Sequence, residues 1–143
     1  MTHIRTVHRT RTCARLACTL ALAAVAATAQ ALTAQDVLAD YTRQAGGAKG
    51  SVERGQTFFT TNFGKQMGWS CASCHTADPR QRGKDDMTEK RIEPLAPAVN
   101  AQRFTDKHKV ENALRQNCKD VVGRECTAQE KVDVLTWLLS LKP

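Results

Sequence analysis

Cys71-Ala72-Ser73-Cys74-His75 sits at the middle of the chain, and its spacing carries a specific chemistry. Two thiols three positions apart, followed at once by a histidine, can bond both cysteines to the vinyl groups of a haem while the imidazole ligates its iron. A C-x-x-C pair can also be a thioredoxin-type dithiol, but that needs a surrounding βαβ pattern, and the flanks of Cys71 show none. The motif therefore predicts one covalent haem c, attached at Cys71 and Cys74, with His75 as an iron ligand.

Toward the N-terminus, residues 1–15 hold Arg5, Arg9, Arg11 and Arg15 with no acidic residue, and an alanine-rich apolar stretch follows at 16–31. This is the layout of a secretory signal peptide, with cleavage expected after Ala29-Gln30-Ala31 and Ala34 as the second choice. The stretch is short for a bilayer span of roughly twenty residues, so no stable membrane insertion is expected once it is removed. A cleaved signal at 1–31 leaves one domain at 32–143 and predicts a periplasmic protein.

Removing residues 1–31 also takes away two of six cysteines, two of four histidines and four arginines, leaving 17 basic against 14 acidic residues. The sequence pI of 9.4 thus reflects the signal more than the domain. Two haem propionates would offset most of the remaining charge, so a nucleic-acid partner is not expected. With Cys71 and Cys74 committed, Cys118 and Cys126 are left over in an exported chain, where disulfides persist. A bridge between them would close a nine-residue loop.

The fold class reads as all-α, with four helical segments at 33–44, 52–60, 103–118 and from a capping box at Thr127 and Glu130 through Leu139. No stretch alternates long enough to make a convincing strand. The proline-bearing segment 76–100 is long for a structureless loop unless it packs on something, and a haem face is the natural candidate.

With these elements in view, the chain resembles the class I cytochromes c. In that family a glycine and an aromatic residue on the helix before the haem motif cross an aromatic residue on the last helix. Glu53-Arg54-Gly55-Gln56-Thr57-Phe58-Phe59 and Val134-Leu135-Thr136-Trp137 look like those elements. The resemblance implies a cytochrome c fold of about four helices wrapped around one covalent haem. It also implies that His75 donates from its second ring nitrogen to a backbone carbonyl at 93–97, as Pro94 would provide.

The usual methionine sixth ligand of that class has no counterpart. Met1 leaves with the signal, Met67 precedes the haem motif and Met87 follows His75 by only twelve residues. The remaining candidates are His108, Lys107, Lys109 and Asn117. At 100° per residue, Asn117 lies about 20° from Val110 and about 60° from Leu114, whereas His108 lies about 160° from Val110, on the solvated side. Either lysine would have to lose its proton to bind iron. An asparagine near a helix end is commonly a C-cap, and that reading stands beside the ligand reading.

A closer similarity is to the sphaeroides haem protein family, which is asparagine-ligated and high-spin. It rests on Pro94-Leu95-Ala96-Pro97, Arg103-Phe104-Thr105-Asp106, Gln116-Asn117-Cys118, Val122-Gly123-Arg124 and Cys126-Thr127, with Trp137 in the last helix. It implies Asn117 as the sixth ligand, a Cys118–Cys126 disulfide beside it, one-electron redox with binding of O2, NO or CO, and a dihaem cytochrome c as electron donor. Oxidoreductase action on O2, NO or peroxide stays open. The alternative is a plain electron carrier whose iron is closed by His108 or by a permanently bound Asn117.

Overall fold

The computed structural model describes residues 32–64 and 68–143, so the signal peptide expected at 1–31 and Met67 lie outside the described residues. Among those residues five helices and one short hairpin follow in order: α1 Ala34–Gln44, α2 Val52–Thr60, α3 Cys71–His75, β1 Gly83–Lys84, β2 Arg91–Ile92, α4 Lys107–Val122 and α5 Ala128–Ser140. The all-α class is the observed one, with the haem motif itself forming the additional helical turn. The antiparallel hairpin, pairing Gly83 with Ile92 and Lys84 with Arg91, departs from the strand-free expectation. Strands of two residues are too short to show an alternating pattern.

Three helices start where their side chains dictate. Thr33 and Asp36 form a reciprocal capping box on α1, as do Thr127 and Glu130 on α5, and the Ser51 hydroxyl accepts from the Arg54 amide at the start of α2. α4 begins later and ends later than its sequence pattern predicts. Asp106 caps it by accepting from the Lys109 amide, and it runs through Cys118 to Val122 before Gly123, at φ 79°, turns the chain. Asn117 therefore lies inside the helix, and the C-cap reading falls.

α5 is the central element. Gly55 on α2 meets it so closely that a Cβ there would collide with the Asp133 carbonyl and come within 2.9 Å of the Trp137 Cβ. Phe59 fills the crossing, its ring 4.9 Å from that of Trp137. On the other side, Val37 and Tyr41 of α1 pack with Val110 of α4 and with Val132 and Leu135 of α5. Phe104 touches both this cluster and the one around Phe59, Val134, Trp137 and Leu138. It does so with its backbone at φ 61°, a conformation that costs a non-glycine residue about 1 kcal/mol.

Asp133 locks the same crossing by charge. Its carboxylate accepts from the Ser51 amide at 2.8 Å, from Arg54 at 2.7 Å through both Nε and Nη2, and from Gln129 at 3.0 Å. Burial works against this charge, and the four donors together overcome it, leaving the carboxyl below its ordinary range.

Candidate haem site

α3 is a single turn, and its spacing sets the site. Residues i, i+3 and i+4 share a helix face, so Cys71, Cys74 and His75 project together. The Ser73 hydroxyl accepts from the Ser70 amide at 3.0 Å, which pins the start of the turn. Thr76 ends it at φ 62°, and its hydroxyl donates to the Asp78 carbonyl at 2.6 Å. The hairpin then settles directly on the motif: a Cβ at Gly83 would strike the Cys74 carbonyl and lie 3.1 Å from the His75 Cα.

The two thiols are free and half-buried. Burial pushes the Cys71 thiol up to about 11, the opposite of the depressed pKa that marks a redox-active C-x-x-C. His75 is half-buried with its ring 6.3 Å from Phe59. Burial, and behind it the charge of Arg103, pull its imidazole down to about 4, so the ring is neutral and its lone pair is free for a metal.

Around this motif the wall is apolar. Cys71, Ala72, Leu95 and Phe104 pack beside Phe59 and Trp137, while Phe104 and Leu114 border the neighbouring cluster that includes Val110. Among the described residues no three His, Cys, Asp or Glu side chains are grouped to hold a bare metal ion. Two free thiols, a neutral imidazole and an apolar surround fit a covalent haem. Cys71 and Cys74 would hold the porphyrin and His75 its iron.

One proximal expectation is not met. The Pro94 carbonyl accepts from Arg103 Nε at 2.9 Å and from Asn100 Nδ2 at 3.0 Å, which uses both of its lone pairs. Arg103 also donates to the Glu93 carbonyl at 2.5 Å. Among the described residues His75 has no hydrogen-bond partner. Arg103, rather than His75, organises this loop, and the sequence marked it only as part of the Arg103-Phe104-Thr105-Asp106 match.

On α4 the candidates separate. Val110 is buried, Leu114 half-buried and Asn117 exposed, so one stripe runs from the core outward to Asn117. His108 is exposed. Lys107 pairs with Asp40 at 2.5 Å, and Lys109 with Asp106 at 3.4 Å. Directly after Asn117, Cys118 is bridged to Cys126 with their Cα atoms 5.6 Å apart, and both sulfurs pack among Phe58, Phe63 and Val121. Met87 is 67% exposed on the turn between the hairpin strands.

Residues 45–138 match the family model described as a domain of unknown function, DUF1924. The chain is 46% identical over 96 residues to the cytochrome c-type protein SHP of Cereibacter sphaeroides, covering 66% of this chain and 74% of that protein. It is 43% identical over 94 residues to cytochrome c'' of Methylophilus methylotrophus, covering 63% of this chain and 64% of that protein's length. The structure of oxidised SHP, described as an oxygen-binding cytochrome c, superposes with a TM-score of 0.72 at 39% identity, covering 78% of this chain and all of that one. Oxidised cytochrome c'' superposes at 0.70 with 38% identity, covering 77% and 95%. A solution structure of cytochrome c'' that addresses haem-ligand detachment gives 0.67 at 37% identity, covering 77% and 94%. The attachment motif, the all-α fold and these relatives lead to one conclusion: the chain belongs to the DUF1924 family, as a monohaem c-type cytochrome of the SHP and cytochrome c'' kind.

Proposed function

We propose that this protein is a periplasmic cytochrome that takes up one electron and then binds a diatomic gas, O2, NO or CO, where Asn117 has let go. The haem supplies the one-electron couple and the iron at which the gas binds. Cys71 and Cys74 hold it, and His75 gives a neutral imidazole to one face. Asn117 offers an amide oxygen, a hard and weak donor that suits ferric iron better than ferrous. Reduction would therefore favour its release, and the freed amide would offer N–H donors to a gas.

The observation that carries this reading is the position of Asn117: it continues the Val110 and Leu114 stripe and adjoins the Cys118–Cys126 bridge. Exposure does not separate the candidates, since Asn117, His108 and Met87 are all exposed; direction does, because Asn117 lies about 20° from Val110 around α4 and His108 about 160°, while both lysines are in ion pairs. The oxygen binding named for SHP and the haem-ligand detachment named for cytochrome c'' support the same behaviour here. A dihaem cytochrome c is the proposed electron donor. Without methionine ligation the potential lies below that of a methionine-ligated cytochrome.

The test is the optical spectrum of the purified protein, oxidised and then dithionite-reduced, with and without carbon monoxide. A high-spin ferrous spectrum that shifts promptly with carbon monoxide supports gas binding. A low-spin ferrous spectrum indifferent to carbon monoxide overturns it in favour of an electron carrier with a retained ligand.

A further inference from the structure

Away from the haem motif, three helices meet at three side chains. Tyr41 of α1 is 2% exposed, and its hydroxyl donates to Glu111 Oε2 of α4 at 2.6 Å. Lys131 of α5 donates to Glu111 Oε1 at 2.9 Å and lies 4.9 Å over the Tyr41 ring. Both hydrogen bonds end on a charged carboxylate, which makes them stronger than neutral ones.

These contacts fall at a telling place on α4. Glu111 and Cys118 are seven residues apart, so at 100° per residue they lie within about 20° of one line along the helix. Beside the Lys107–Asp40 ion pair in its first turn and the buried Val110, the helix is thus fastened along one side by a hydrogen-bonded carboxylate near its start and by a disulfide after its middle. Asn117 lies on the adjoining stripe with Val110 and Leu114. Fastenings spaced along one side resist rotation of a helix about its axis, and the loss of one weakens that resistance. A turn of about 20° moves an atom about 6 Å from the axis by about 2 Å, more than a coordinate bond tolerates.

We propose that Tyr41, Glu111 and Lys131 form a positioning cluster that sets the rotation of α4 and, through it, the hold of Asn117 on the haem iron. The inference rests on Asn117 being the sixth ligand. The three residues act through α4, since Tyr41 and Lys131 both bond to its Glu111.

The test uses the haem-loaded protein as wild type and as Tyr41→Phe, Glu111→Ala, Glu111→Gln, Asn117→Ala and Asp133→Asn. Glu111 is on the surface, so Glu111→Ala folds even if Tyr41→Phe does not. Three measurements are made on the ferric protein: optical and EPR spectra, the rate of combination with azide, and amide hydrogen exchange over 107–122. Tyr41→Phe and Glu111→Ala are expected to move the spectra toward those of Asn117→Ala, to speed azide binding about threefold or more, and to speed exchange along α4. Glu111→Gln keeps an acceptor for Tyr41 and is expected to restore most wild-type behaviour. Asp133→Asn is expected to lower the melting temperature without altering spectra or azide rate. If Asn117→Ala changes the ferric spectra and the cluster variants only melt earlier, the cluster merely stabilises the fold and the inference is overturned. If Asn117→Ala leaves the spectra unchanged, Asn117 is not the ligand, and the proposed function falls with it.

Discussion

α2 and α4 are both held against the rest of the molecule, but by constraints arranged differently. At the α2 crossing, Gly55 permits near-contact of backbones, Phe59 and Trp137 fill the gap, and Asp133 receives donors from Ser51, Arg54 and Gln129. α4 is fastened at separate points, Lys107, Glu111 and Cys118, and its face grades from buried Val110 to exposed Asn117. A rigid crossing suits the side that carries covalent attachment. A helix held at separate points would suit the proposed release of Asn117.

The contrast can be broken most directly at Gly55. Gly55→Ala drives a methyl into the Asp133 carbonyl, and a loss of about 3 kcal/mol or more is expected, read as a large fall in melting temperature. An unchanged melt would mean the crossing is looser than it looks. Replacing Cys118 and Cys126 together by alanine removes the closed nine-residue loop, with an expected loss of about 2.5 kcal/mol in denaturant titration. It should also speed hydrogen exchange along α4 while sparing α2.

Asp133→Asn sharpens the comparison through pH. The folded-state pKa of Asp133 is depressed, so its stabilisation is present above the unfolded value of 3.8 and is lost as pH falls through the folded value. The variant should be about 1 to 2 kcal/mol less stable at pH 7, with the gap closing as the wild type is acidified below about pH 4. A constant gap would show that the carboxyl titrates alike in the folded and unfolded chain, so that its donors do not favour the charged form. Smallest of all, His108→Ala should change stability by less than about 0.5 kcal/mol and leave carbon monoxide binding to the reduced protein as it was. A changed ferrous spectrum would instead make His108 a ligand.

How much of this was legible depended on how local each signal is. The attachment motif was plain because its chemistry requires contiguous residues, and the caps at Thr33 and Thr127 because a capping box spans one turn. The Cys118–Cys126 bridge emerged by sorting four cysteines into two pairs. Asp133 gave no signal: it reads as a solvated charge on a helix, yet it is 4% exposed because its partner Arg54 stands 79 residues away in sequence. The Tyr41 to Glu111 contact spans 70 residues and was equally silent. The bounds of α4 were misplaced at 103–118: Asp106 caps its start, and the left-handed Gly123, five residues beyond Cys118, ends it.

Phe104 has the last word on how these two regions behave together. Its ring is shared by the cluster that holds Val110 of α4 and by the cluster that holds Phe59 and Trp137. A side chain common to both makes their melting mutually dependent, since neither can lose its packing without stripping the other of the same ring. Heating should therefore give one transition seen alike by tryptophan fluorescence and by helix circular dichroism, so that the looser half of the molecule borrows its cooperativity from the tighter one.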